Sequence, residues 1–94
     1  MMQTNYQSGT VLLLRINDVM SRTGLPRSSV YEKIKNKEIT PPVAIGLRKV
    51  AWPSYEIDEI NRALISGANN IQIKALVTRL TSDREQSLGG DDNE

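Results

Sequence analysis

Residues 17–36 read NDVMSRTGLPRSSVYEKIKN, and the centre of this stretch, Thr23-Gly24-Leu25-Pro26, decides the fold. Glycine enters the left-handed conformation without a Cβ clash, so Gly24 closes a preceding helix and turns the chain sharply. Pro26 fits the first turn of a following helix, where its missing N–H deprives no carbonyl of a partner. Behind Asn17, a good N-cap, Val19, Met20 and Thr23 set a small apolar stripe on a helix of about two turns. Leu25 can fold back onto that stripe. The second helix is predicted from about Pro26 to Asn36, which makes the pair a helix-turn-helix.

At ~100° per residue, Val30 and Ile34 fall together and mark the buried face of the second helix. Ser28, Ser29, Glu32, Lys35 and Asn36 lie opposite, and Tyr31 sits on the boundary. Short hydroxyls, a carboxylate, an amide and an ammonium are the side chains that bond base edges and phosphates. Any solvated helix face is polar too, so the face alone does not decide the matter.

Working outward, Val11 to Ile16 reads as a short strand, and residues 1–10, polar and uncharged, read as a disordered arm. Downstream, Thr40-Pro41-Pro42 stops regular structure. Val43 and Ile45 alternate on one side of Gly46-Leu47, and Val50 and Trp52 on the other, as in a hairpin with Arg48 and Lys49 near its tip. That hairpin is a candidate wing; the alternative is a surface turn with two solvated charges. Trp52, on the buried alternation, belongs to the core beneath it. Ser54 is the expected N-cap of a third helix with Glu56, Asp58 and Glu59 near its start and Ile57, Ile60 and Leu64 facing the core, ending at Gly67. Asn69-Asn70 can cap a fourth helix, residues 69–80, striped by Ile73, Leu76, Val77 and Leu80. That stripe could pack onto the domain or pair with its copy in a homodimer or cooperative array. Residues 81–94 read as a disordered acidic tail.

Composition narrows the chemistry. The 94 residues make one small domain, spanning 11–68 apart from these flanks. Neither cysteine nor histidine is present, which removes disulfides, thiolate or imidazole metal ligands, thiol nucleophiles and an imidazole base. The acidic residues are not paired in an apolar setting, so the expectation is a protein without catalytic activity, cofactor or metal. The longest apolar run, Val11 to Leu14, is far short of the ~20 residues that span a bilayer, and residues 1–10 lack the basic leader and apolar run of a signal peptide, so a cytoplasmic protein without membrane contact is expected. The net charge of +1 conceals two halves. Residues 15–53 hold eight basic and three acidic residues, and residues 54–94 four basic and eight acidic. One face suited to polyanionic DNA and another held away from it would produce that division, as would solvated charge scattered over helix faces.

Short helix, glycine turn, helix, basic hairpin, helix is the order of a winged helix-turn-helix: mainly α with a small β-hairpin wing. The stretch from Leu13 to Leu64 resembles the AlpA-type prophage regulators, small proteins of the MerR-like helix-turn-helix superfamily that includes phage excisionases. The resemblance rests on the leading strand with Arg15, Thr23-Gly24-Leu25 in the turn, Arg27-Ser28 with Tyr31 on the second helix, Pro42-Val43, Gly46 with Arg48 in the wing, and Trp52 before the last helix. It departs from the pattern at Pro26, where a serine cap is usual; at Glu32, where a basic residue usually follows the tyrosine; and at Glu38 and Ile39, in place of a glycine and an aromatic. A carboxylate repels phosphate but accepts from a cytosine amino group, which makes Glu32 a candidate specificity residue.

The resemblance implies regulation within a prophage or genomic island, by controlling an integrase gene or by acting as an excisionase that bends attachment-site DNA beside an integrase. The expected interface with double-stranded DNA comprises Arg27, Ser28, Ser29, Glu32 and Lys35 on the second helix and Arg48 and Lys49 on the wing, with Arg15 and Lys37 adding to the field. Tyr31 is assigned to a phosphate through its hydroxyl, or else to core packing. A different class of reading is a protein-interaction adaptor that uses the Ile73–Leu80 stripe. RNA binding ranks lower, because Tyr6, Tyr31, Trp52 and Tyr55 form no interleaved stacking platform.

Overall fold

The computed structural model describes residues 11–92, with side-chain surroundings through residue 85; the expected N-terminal arm, residues 1–10, and the last two residues of the expected tail lie outside the described residues. The elements in order are β1 (Leu13–Leu14), α1 (Ile16–Thr23), α2 (Arg27–Lys35), β2 (Val43–Gly46), β3 (Lys49–Pro53), α3 (Ser54–Ile65) and α4 (Asn70–Asp92). The three strands form an antiparallel sheet in the order β1-β3-β2. The architecture is mainly helical with a small sheet, a winged helix-turn-helix. No helix among the described residues is long and apolar enough to cross a membrane.

The turn between the first two helices forms as its residues dictate. Gly24 adopts φ 75 and its N–H donates to the Met20 carbonyl at 2.8 Å. The Thr23 hydroxyl donates to Val19 O and accepts from the Leu25 N–H, turning Leu25 toward the core. Two caps differ from expectation. α1 starts one residue before Asn17: Arg15 is its N-cap, with the Asp18 carboxylate accepting from the Arg15 N–H at 3.3 Å. Because Ile16 is already helical, the strand expected from Val11 to Ile16 shortens to Leu13–Leu14. Pro26 is the N-cap of α2 rather than a residue of its first turn, and no side chain caps that helix.

α2 ends in a Schellman motif with lysine in the glycine position. Lys37 takes φ 66; its N–H donates to Ile34 O at 3.0 Å, and the Glu38 N–H donates to Lys33 O at 2.8 Å. The side chains of those last two residues meet as well, Lys33 Nζ standing 3.3 Å from Glu38 Oε1. This turn drops Ile39 into the core, 2% exposed.

One core gathers Leu14, Val19, Val30, Ile39, Trp52 and Ile57 beneath the sheet. Trp52 is fully buried, and its indole N–H donates to Thr40 O at 2.9 Å, as a buried indole requires. A second core joins Ile60 of α3 to Ile73, Val77 and Leu80 of α4, with Leu76 packed against it. The α4 stripe therefore packs within the chain and is not an open face for a second copy. Leu64 departs from its expected core position: at 52% exposed it lies at the rim, one residue from the end of α3. Gly67, at φ 93, turns the chain as expected, and Asn69 and Gln72 cap α4 reciprocally at 2.8 and 2.9 Å.

Two further expectations change. Ser54 is the first residue of α3 and Pro53 its N-cap. The Ser54 hydroxyl instead accepts from the Leu12 N–H at 2.9 Å while its own N–H donates to Leu12 O at 2.8 Å, extending the β1–β3 pairing. The helix expected to stop near Leu80 runs on to Asp92. The acidic tail thus does not begin at Thr81, because Arg84 is held by Glu56 at 2.6 and 2.8 Å and by Pro41 O at 2.8 Å.

Candidate nucleic-acid interface

α2 presents the polar face that its sequence prescribes. Val30 is fully buried and Ile34 packs against the same core, leaving Arg27, Ser28, Glu32, Lys35 and Asn36 exposed and Ser29 half-buried. Ser28, Ser29, Glu32 and Asn36 line one shallow depression of about 260 Å³ together with Leu25, Lys33 and Glu38. The first turn of α2 holds no carboxylate, so the positive end of its helix dipole and its uncapped N–H groups stay available to an anion.

Tyr31 links this helix to the sheet. Its ring stands edge-on to Trp52, with centroids 6.3 Å apart and planes at 64°, and the guanidinium of Arg27 lies over the same ring, 5.8 Å from its centroid. Both contacts use the ring and neither uses the hydroxyl. β3, which carries Trp52, begins at Lys49, so this stack couples the orientation of α2 to that of the hairpin.

The hairpin tip is the two-residue connection Leu47-Arg48, closed by the Gly46–Lys49 pair. Arg48 adopts φ 59, and both cations are exposed. The register shifts between Ala44 and Gly46, leaving Ile45 as the extra residue of a bulge. Such a bulge bends and twists the strand.

The ion pairs sort the cations in a way that charge counting could not. Each α3 carboxylate has a cation from another element: Asp58 from Arg22 at 3.3 Å, Glu59 from Arg79 at 3.1 Å, and Glu56 from Arg84. Lys33 is engaged by Glu38. Among the described residues, Arg15, Arg27, Lys35, Lys37, Arg48 and Lys49 form no ion pair, and neither do Arg62 on α3 and Lys74 on α4. The six in the first half of the domain are those expected to face an anion.

The expected residues do not all share one surface. Ser28, Ser29 and Glu32 meet in the depression, and Arg27 and Tyr31 stack beside the sheet. Lys37 lines a separate cleft of about 400 Å³ between the end of α2 and α4, with Glu85 on its far wall. Arg15 stands at the start of α1. Leu47, beside Arg48, is not among the expected residues, yet an aliphatic side chain at a hairpin tip breaks the polar rule for turns.

A family model described as Prophage CP4-57 regulatory protein (AlpA) matches residues 12–62, from the Leu12–Ser54 junction through most of α3. The chain is also similar to a protein of Enterobacteria phage P4 described as "Uncharacterized protein ORF88", 39% identical over 54 residues. That alignment covers 57% of this chain and 61% of the phage protein, so the chain spans less than two thirds of that relative's length. No solved structure matches. The family match takes in the helix-turn-helix, the wing and Trp52 across more than half of the sequence, and the chain belongs to the AlpA family of prophage regulatory proteins.

Proposed function

We propose that the protein is a sequence-specific, double-stranded DNA-binding transcription regulator of a prophage or genomic island, with α2 in the major groove and the β2–β3 hairpin on the neighbouring backbone or minor groove. The observation that carries this reading is the division of cations. Arg22 of α1 and Arg79 and Arg84 of α4 are paired with the α3 carboxylates, whereas Arg27 and Lys35 on α2 and Arg48 and Lys49 on the wing are left without a described carboxylate. Unpaired surface cations beside a hydrogen-bonding helix face favour a polyanion, and the gain comes from counterion release.

On this reading Ser28, Ser29, Glu32 and Asn36 meet base edges, while Arg27, Lys35, Arg48 and Lys49 meet phosphates. Arg15 and Lys37 contribute through the field. A homodimer or a cooperative array on DNA would have to use a surface other than Ile73, Leu76, Val77 and Leu80, since these pack against α3. Whether the bound site lies at a promoter or beside an integrase at an attachment site depends on the DNA, because both roles use the same residues.

Fluorescence anisotropy of the full chain on duplex from upstream of its own and neighbouring genes, beside scrambled duplex, tests the reading. Preference for the native fragment, with a log–log salt slope of about −4 to −6, is expected. No binding to any duplex at low salt overturns it and turns attention to an adaptor role.

A further inference from the structure

The wing tip carries an apolar side chain where a solvated turn calls for a polar one. Leu47 is 87% exposed; Ile65 and Ile71 are comparably exposed at 85% and 78% but lie at helix ends, whereas Leu47 projects from a two-residue connection. Its immediate neighbours along the hairpin are Arg48 and Lys49, both exposed and neither in an ion pair with a described carboxylate. The bulge at Ile45, two residues before the tip, redirects the ribbon at its end.

A leucine followed by two cations at the end of a narrow ribbon matches one kind of partner. Duplex DNA offers a minor groove flanked by two phosphate backbones, and an apolar side chain there can enter between base pairs while the cations hold the backbones. We propose that Leu47 is a wedge that enters the minor groove, partly unstacks one base step and bends the duplex; this rests on the reading of α2 and the hairpin as a DNA interface. The Tyr31–Trp52 contact ties the sheet to α2, so the wedge enters at a fixed distance from the bases that α2 meets. Unstacking is easiest at pyrimidine–purine steps, so the wing selects a TA or CA/TG step without hydrogen-bonding to it.

The test uses the full chain and a duplex that it selects from a randomised pool. Three signals are followed: anisotropy for binding, energy transfer between dyes on the two duplex ends for bending, and the fluorescence of 2-aminopurine placed at successive adenines for unstacking. Wild type should raise the energy transfer and brighten the probe at one step under the wing. Leu47→Ala should weaken binding by about three- to tenfold with an unchanged salt slope, since no charge is lost, and should abolish most of the bend and the brightening. Leu47→Phe should restore both, and the free variants should melt with the wild type. The wedge is overturned by a wild type that binds without either signal, by a Leu47→Ala chain that bends as the wild type does, or by one that loses binding outright. Failure to select any duplex overturns the DNA reading itself, a result separate from binding without bending.

Discussion

The carboxylate of Glu56, fully buried at the start of α3, accepts two hydrogen bonds from the guanidinium of Arg84, at 2.6 and 2.8 Å across 28 residues of sequence. Arg84 also donates to Pro41 O at 2.8 Å, so one side chain joins α4 to α3 and to the segment between α2 and the wing. Removing one partner of a buried pair leaves an uncompensated charge, whereas replacing both with apolar groups does not. Arg84→Ala is expected to lower stability by ~3 kcal/mol, and Glu56→Leu with Arg84→Met to recover most of that. Urea unfolding measures both; an Arg84→Ala chain with the wild-type midpoint removes the clamp from the account. Truncation after Leu80 should cost as much as Arg84→Ala, where a disordered tail would cost nothing.

Lys37 holds the left-handed position of the α2 Schellman turn at φ 66, where a Cβ is unfavourable. Lys37→Gly should raise stability by roughly 0.5–1 kcal/mol despite the extra freedom that glycine has in the unfolded chain. If Lys37 adds to the field at the DNA, the same change lowers affinity and reduces the salt slope by about 1 or less. Thermal unfolding and salt-dependent anisotropy read the two effects separately.

Tyr31 touches Trp52 and Arg27 through its ring. Tyr31→Phe keeps both contacts and is expected to leave DNA affinity within about twofold, while Tyr31→Ala should lose ~1–3 kcal/mol of stability and weaken binding further. A tenfold loss in the phenylalanine variant would instead support the other expected role, a contact of the free hydroxyl with a phosphate.

Glu32 is exposed within the α2 depression and forms no ion pair with a described cation. Glu32→Ala should relax preference at one base pair, from a site that favours cytosine there, with total affinity equal or higher because a repulsion of phosphate is gone. Selection from a randomised pool reads this directly; an unchanged profile takes Glu32 out of the readout.

Charge reversal separates DNA binding from an adaptor role. Lys35→Glu with Arg48→Glu should reduce affinity by at least about 100-fold at moderate salt and make the salt slope shallower by about 2. Both positions are exposed and outside any described ion pair, so circular dichroism and melting should be unchanged. A double variant that still binds its site normally contradicts the assignment of the cations.

Much of the first core was legible in the residues because its signals are local. Gly24 and Gly67 mark chain reversals through their backbone freedom, Val19, Val30 and Ile57 follow helical spacing, and Trp52 follows strand alternation, each readable within a few residues. The family resemblance was legible for the same reason, since its elements follow one another at short spacings.

What only the tertiary structure decided was the pairing of charges and the covering of faces. Glu56, Asp58 and Glu59 look alike in sequence, yet one is fully buried on Arg84 while the others bind Arg22 and Arg79 nearer the surface. By its spacing the α4 stripe suits a dimer as well as its own domain; in the fold Ile60 packs against it. Helical and strand periods state which side of an element is apolar, but partners 20, 28 or 36 residues away are chosen by how the elements pack. The cations that this packing leaves unpaired, and the leucine it leaves in water, are the features on which the function is proposed.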